Sequence, residues 1–153
     1  MEQGGAGGEP RVSRAEQADR TRREMLETAL RLFSERGYGG TSLQMIADTM
    51  GLTKAAVYYH FRTKGELLEA MAAPVLGELD RVLDAAAALP ETPDRLQWLA
   101  EGIAATLVGN PAVMLVLGDP GAYAVMEERL PGATDGYRDR TVALLFGLLL
   151  LLD

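Results

Sequence analysis

The 153-residue chain has no cysteine and a single histidine, His60. The missing thiols exclude disulfides and thiolate metal sites, and a reducing cytoplasm suits such a chain. The scarcity of cysteine and histidine also removes the common nucleophile–base pairs. No G-x-S-x-G, P-loop, H-E-x-x-H or Cys–His arrangement occurs, so no enzyme is expected. No Asp, Glu or Cys stands at ligand spacing from His60, and neither a metal site nor a cofactor is expected. No run of alternating Val, Ile and Thr argues for a sheet. The longest apolar stretch, residues 141–152, falls short of the roughly 20 residues a membrane-spanning helix needs. The Gly-rich first ten residues lack the apolar segment of a signal peptide, so the expected location is cytoplasmic, with no membrane partner.

What is abundant is alanine and leucine. Apolar residues make up 48% of the chain and aromatics only 6%, a composition that favours helices and can fill a core. The net charge of −7 is unevenly spread. Residues 1–64 carry ten Lys and Arg against eight Asp and Glu, whereas residues 65–153 carry five against fourteen. A mildly basic N-terminal part joined to an acidic C-terminal part suggests two jobs. Screening confines distant charges to a reach of about 10 Å, so a small basic face can bind phosphates on an acidic molecule.

Along the chain, residues 1–12 read as a disordered arm. Leu26, Ala29, Leu30 and Phe33 form one helical stripe that ends at Gly37. Thr41 or Ser42 caps a second helix with Leu43, Ile46, Ala47 and Met50 inward, closed by Gly51. Thr53 caps a third, short helix with Val57 and Phe61 on its core side. Thr63 with Glu66 makes a capping-box pattern for a fourth helix, which Pro74 interrupts. Further helices are expected over 94–109, 111–117, 122–130 and 137–152, with loops at 118–121 and 131–136. The fold class is all-α: an N-terminal three-helix helix-turn-helix DNA-binding domain followed by a helical regulatory and dimerisation domain. The expected divisions are an arm over 1–15, the DNA-binding domain over 16–63 and the helical domain over 64–153.

Residues 41–61 carry the function. Two short helices meet at a tight turn built on Gly51, which lets the second helix stand out and enter a groove. At 100° per residue, Val57 and Phe61 define its core side, Ala55, Ala56 and Tyr59 point away, and Tyr58 and His60 flank them. Two alanines and two tyrosines make an odd face for solvent. Against DNA they are sensible: alanine touches a thymine methyl, tyrosine hydroxyls bond phosphates, and Lys54 can donate to guanine. Thr41, Thr53 and Lys64 stand at or near helix N-termini, where backbone N–H groups favour a phosphate.

Ile46-Ala47, Gly51-Leu52-Thr53-Lys54, Val57-Tyr58-Tyr59-His60-Phe61, and Lys64 with Leu67-Leu68 closely resemble the N-terminal domain of the tetracycline-repressor (TetR) family. Ala29-Leu30-Arg31-Leu32-Phe33, Gly37-Tyr38 and Thr41-Ser42 fit that family's first helix and turn. The resemblance covers residues 20–71; beyond residue 80 only helical periodicity matches. It implies that Lys54, Ala55, Ala56, Tyr58, Tyr59 and His60 face double-stranded DNA and that Lys64 contacts a phosphate. It further implies a palindromic operator, a homodimer and a small-molecule effector whose binding releases the repressor. The chain stops earlier than the family's usual pattern, in a Leu-rich segment over 144–152, so the helical domain and dimer interface are expected to be incomplete. An alternative is a shortened regulator without ligand response, acting with a partner or as an interfering subunit. Trp98, Met114, Tyr123 and Met126, with Tyr137, are candidates for an apolar ligand pocket or for ordinary core. Arg20, Arg22 and Arg23 are candidates for phosphate contacts or a solvated helix face.

Overall fold

A computed structural model describes residues 13–90, 92–108, 110–131, 136, 139 and 140. The expected N-terminal arm over 1–12 and the Leu-rich segment over 144–152 lie outside the described residues, as does most of the helix expected over 137–152. Ser13 opens α1 (Arg14–Arg36) with a capping box: its hydroxyl accepts from the Glu16 amide, and the Glu16 carboxylate accepts from the Ser13 amide. The inward stripe of α1 is Met25, Ala29, Leu32 and Phe33, with Leu26 and Leu30 packed at its edge. The core side is therefore rotated from the stripe read in the sequence. Period 3.6 leaves several registers open, and tertiary partners choose one.

Two short helices follow. Ser42 caps α2 (Leu43–Met50) by accepting from the Met45 amide, and Gly51 ends it in the left-handed conformation at φ 65°. A residue with a Cβ is strained there, so glycine allows the chain to turn at once into the next helix. Thr53 caps α3 (Lys54–His60), and Phe61 closes it. Thr63 caps α4 (Lys64–Ala88). The Glu66 carboxylate accepts from the Arg62 amide, one residue upstream of the partner that a standard capping box uses. Pro74 sits inside α4 without ending it. α5 (Pro93–Leu107), α6 (Pro111–Gly118) and α7 (Pro120–Arg129) each begin on proline, whose missing N–H is no loss in a first helical turn. Asp119 alone separates α6 from α7, where the sequence suggested a four-residue loop.

Two apolar clusters form around α4. The larger joins Met25, Phe33, Ile46, Val57, Phe61, Leu67, Leu68 and Met71 with Ala112, Leu115, Val116, Ala122 and Met126 of α6 and α7. The smaller joins Leu79, Val82, Leu83 and Ala86 to Leu99 of α5, where Val82 fills the space that a Cβ at Gly102 would need. Burying one such side chain contributes about 1.5–3 kcal/mol. The major core is thus built jointly by the N-terminal helices and α6–α7, across the boundary expected at residue 63. Arg129 pairs with Glu69 at 2.6 Å, and Arg140 pairs with Asp80 at 2.7 Å and with Asp84. Among the described residues no single helix is long and apolar enough to cross a membrane.

Candidate nucleic-acid interface

α3 is anchored on one side and bare on the other. Val57 is fully buried and Phe61 nearly so, and the Arg22 guanidinium lies 4.2 Å over the Phe61 ring. That contact gives Arg22 a packing role at the end of α3, while Arg20 lies beside Gln17 and Glu24 on the solvated side of α1. On the opposite face Tyr59 is 81% exposed and Tyr58 41%. Lys54, Ala55 and Thr53 are exposed beside them; Ala56 and His60 are half-buried. The Lys54 ammonium sits 5.4 Å from the Tyr58 ring centre, and Tyr59 meets the His60 ring edge-on at 5.1 Å. The Thr53 hydroxyl accepts from the Ala56 amide at 3.1 Å, which fixes the start of the helix.

The expected DNA-facing residues Thr53, Lys54, Ala55, Ala56, Tyr58, Tyr59 and His60 are therefore brought together on one short helix. Thr41 is not among them. It is 2% exposed, and its hydroxyl lies 3.1 Å from the Leu32 carbonyl and 3.0 Å from the Gly37 carbonyl. Those carbonyls belong to the end of α1, whose last turn lacks helical donors. Thr41 serves as an internal cap, and Ser42 opens α2. The sequence signal was ambiguous because two adjacent hydroxyl residues stood where one N-cap was needed.

Lys64, expected on a phosphate, stands in the first turn of α4 but already has partners. Its ammonium donates to the Tyr38 carbonyl at 2.6 Å and lies 4.4 Å over the Tyr38 ring. Partial burial lowers its pKa, and the negative charge of Asp119 opposes that shift. An ammonium has three donors, so this bond leaves others for a phosphate. Asp119 is a residue the sequence reading passed over. One carboxylate oxygen accepts from the Tyr38 amide at 2.7 Å; the other accepts from the Gly121 and Ala122 amides at 2.8 and 3.1 Å. The Tyr38 and Ala122 hydrogen bonds hold the carboxyl below its ordinary pKa. Asp119 before Pro120 is a legible helix-start signal; its reach to Tyr38, 81 positions away, is not.

The four candidate pocket residues do not share a site. Met126 is buried in the major core, while Trp98 on α5 and Tyr123 on α7 are exposed. Met114 on α6 is 62% exposed and lines a groove of about 600 Å³ between the end of α1 and α6, with Phe33, Pro111 and Leu115.

A helix that buries one side and shows aromatic, small and cationic residues on the other, projected from a glycine turn, has the architecture of a helix-turn-helix nucleic-acid reader. Residues 25–71 match the family described as bacterial regulatory proteins, tetR family. The chain belongs to that family. It is 38% identical over 84 residues to a probable HTH-type transcriptional regulator, ArpR, of Pseudomonas putida, a match spanning 55% of this chain and 38% of the relative. It is 44% identical over 46 residues to IcaR of Staphylococcus aureus, a negative transcriptional regulator of a biofilm operon, spanning 30% and 25% of the two chains. The matched segments thus cover well under half of these curated relatives. The crystal structure of the TetR-family regulator PfmR from Thermus thermophilus superposes with a TM-score of 0.59 at 27% identity, covering 80% of this chain and 69% of that one.

Proposed function

We propose that this chain is a sequence-specific, double-stranded-DNA-binding transcriptional regulator that represses from a palindromic operator as a homodimer. The exposed face of α3 carries the reading. Two tyrosines, two alanines and a lysine stand together on a helix whose other face is fully buried, and a solvated surface gives no reason for that combination. In the major groove, Ala55 and Ala56 allow close approach and can meet thymine methyls, the Tyr58 and Tyr59 hydroxyls reach phosphates, and Lys54 reaches base edges. The printed description of IcaR as a negative regulator supports repression. Two reading heads are needed because one short helix binds weakly and pairing raises the effective concentration of the second. Release by a small molecule completes the reading; the groove between α1 and α6, with Met114 on its wall, is where such a molecule would touch both the N-terminal helices and the acidic remainder.

The test is selection of duplexes from a random library, followed by titration of the winner with Lys54→Ala and Tyr58→Phe. Lys54→Ala is expected to lose about 1–3 kcal/mol and to relax preference at one base pair. Tyr58→Phe is expected to weaken every sequence alike. Unchanged affinity in both variants would remove α3 as the reading helix.

A further inference from the structure

Asp119 sits at the corner between α6 and α7, yet both of its oxygens are committed: one caps α7, the other reaches the turn between α1 and α2. The residue it reaches, Tyr38, is held from its other side by Lys64, whose ammonium takes the Tyr38 carbonyl and lies against the ring. A chain of contacts therefore runs from α7 through one peptide unit to the cation at the start of α4. The fit around it is close. A Cβ at Gly121 would lie 3.8 Å from the Tyr38 ring, and one at Gly37 would lie 3.4 Å from the Asp119 carboxylate. The far end of α7 is tied to the same place, for Arg129 bonds Glu69 at 2.8 Å and lies against Gly65, the neighbour of Lys64. α7 thus braces Lys64 from both sides.

We propose that Asp119 is a positioning residue for DNA binding: by holding the Tyr38 peptide it fixes the carbonyl that anchors Lys64, and so sets where that ammonium meets a phosphate. This rests on the DNA-binding reading above. A freely rotating lysine loses side-chain entropy when it meets a phosphate; one already anchored loses less. The carboxylate also offsets the burial that works against the lysine's charge.

Asp119→Asn separates this role from the helix cap. Asparagine is itself a good N-cap, but its one carbonyl oxygen cannot serve both the α7 amides and Tyr38. The probe is a fluorescent 30-bp duplex of mixed sequence alongside the selected operator, titrated across a series of KCl concentrations. Lys64→Ala is expected to reduce the slope of log affinity against log salt by about 1. Asp119→Asn is expected to weaken binding on the order of three- to tenfold, as for a single phosphate contact, and to lower the slope likewise. The double variant is expected to be no worse than Lys64→Ala alone, because the two act through one contact. Faster amide exchange at Tyr38, followed by NMR without DNA, is expected to report the cut tether. An unchanged slope in Asp119→Asn, or losses that multiply in the double variant, overturns the proposal. Wild-type chain that binds neither duplex overturns the DNA-binding reading itself, and a faster Tyr38 exchange in the same variant would then show the tether to be structural only.

Discussion

Replacing Thr41 by valine isolates one hydroxyl. Valine keeps the branched shape, so packing at this 2% exposed position is preserved while the contacts to the Leu32 and Gly37 carbonyls, at 3.1 and 3.0 Å, are removed. A neutral hydrogen bond contributes about 0.5–1.5 kcal/mol net, and a buried group left without its partner costs about 1–3 kcal/mol. Both carbonyls end α1, and the buried apolar surroundings admit little water, so a loss near 2 kcal/mol is expected. With a urea slope of roughly 1–3 kcal/mol/M for a small protein, the midpoint should fall by about 1 M at unchanged slope. Thr41→Ser, which keeps the hydroxyl and loses a methyl, should recover most of that loss. Operator affinity, titrated well below the unfolding transition, should match wild type in both variants. Unchanged urea stability with weakened DNA binding in Thr41→Val would refute the internal-cap assignment and return Thr41 to the DNA-facing set.

Other perturbations follow from the same geometry. Gly51→Ala forces a Cβ into the left-handed region at φ 65° and should cost about 1–2 kcal/mol in chemical denaturation, whereas Gly51→Asn should cost clearly less; equal losses would argue against backbone strain as the cause. Phe61→Ala empties the anchor of α3 and the platform under Arg22, and about 3–5 kcal/mol should be lost, with DNA affinity falling as α3 loosens; a midpoint within 1 kcal/mol of wild type would contradict the burial. Hydrogen bonds hold the Asp119 carboxyl below its ordinary value of 3.8, so its contribution is present above that pH and is lost as pH falls through the folded value. Urea midpoints measured from pH 6 to pH 3 should therefore drop less steeply in Asp119→Asn than in wild type, and parallel curves would show the carboxylate to be energetically silent.

What could be read in the sequence was local. Ser42, Thr53 and Thr63 announce helix starts because each serves an amide three residues away, and Gly51 announces an end because its backbone needs no distant partner to be unusual. The outward set on α3 was legible because a seven-residue helix with Val57 fixed inward leaves little choice for the rest. Contacts across many positions were not. Nothing near Thr41 shows that its hydroxyl turns back to Leu32, and nothing near Asp119 points to Tyr38. The four proposed pocket residues failed to converge for the same reason: an apolar side chain shows how much it will bury, but not against which helix. Met126 entered the major core and Trp98 stayed at the surface of α5.

The joint core also changes how a genetic screen should be interpreted. Ala112, Leu115, Val116 and Ala122 lie outside the segment that matches the family, yet they pack in one cluster with Phe33, Ile46 and Phe61. Bulky or polar substitutions at these four positions should then appear among alleles that lose repression outright, mixed with lesions in α3 itself. Alleles at Leu79, Val82, Leu83 and Leu99, in the smaller cluster, should be milder for repression at the same loss of buried area. Phenotypic class along this chain would then follow membership of a cluster rather than position before or after residue 63.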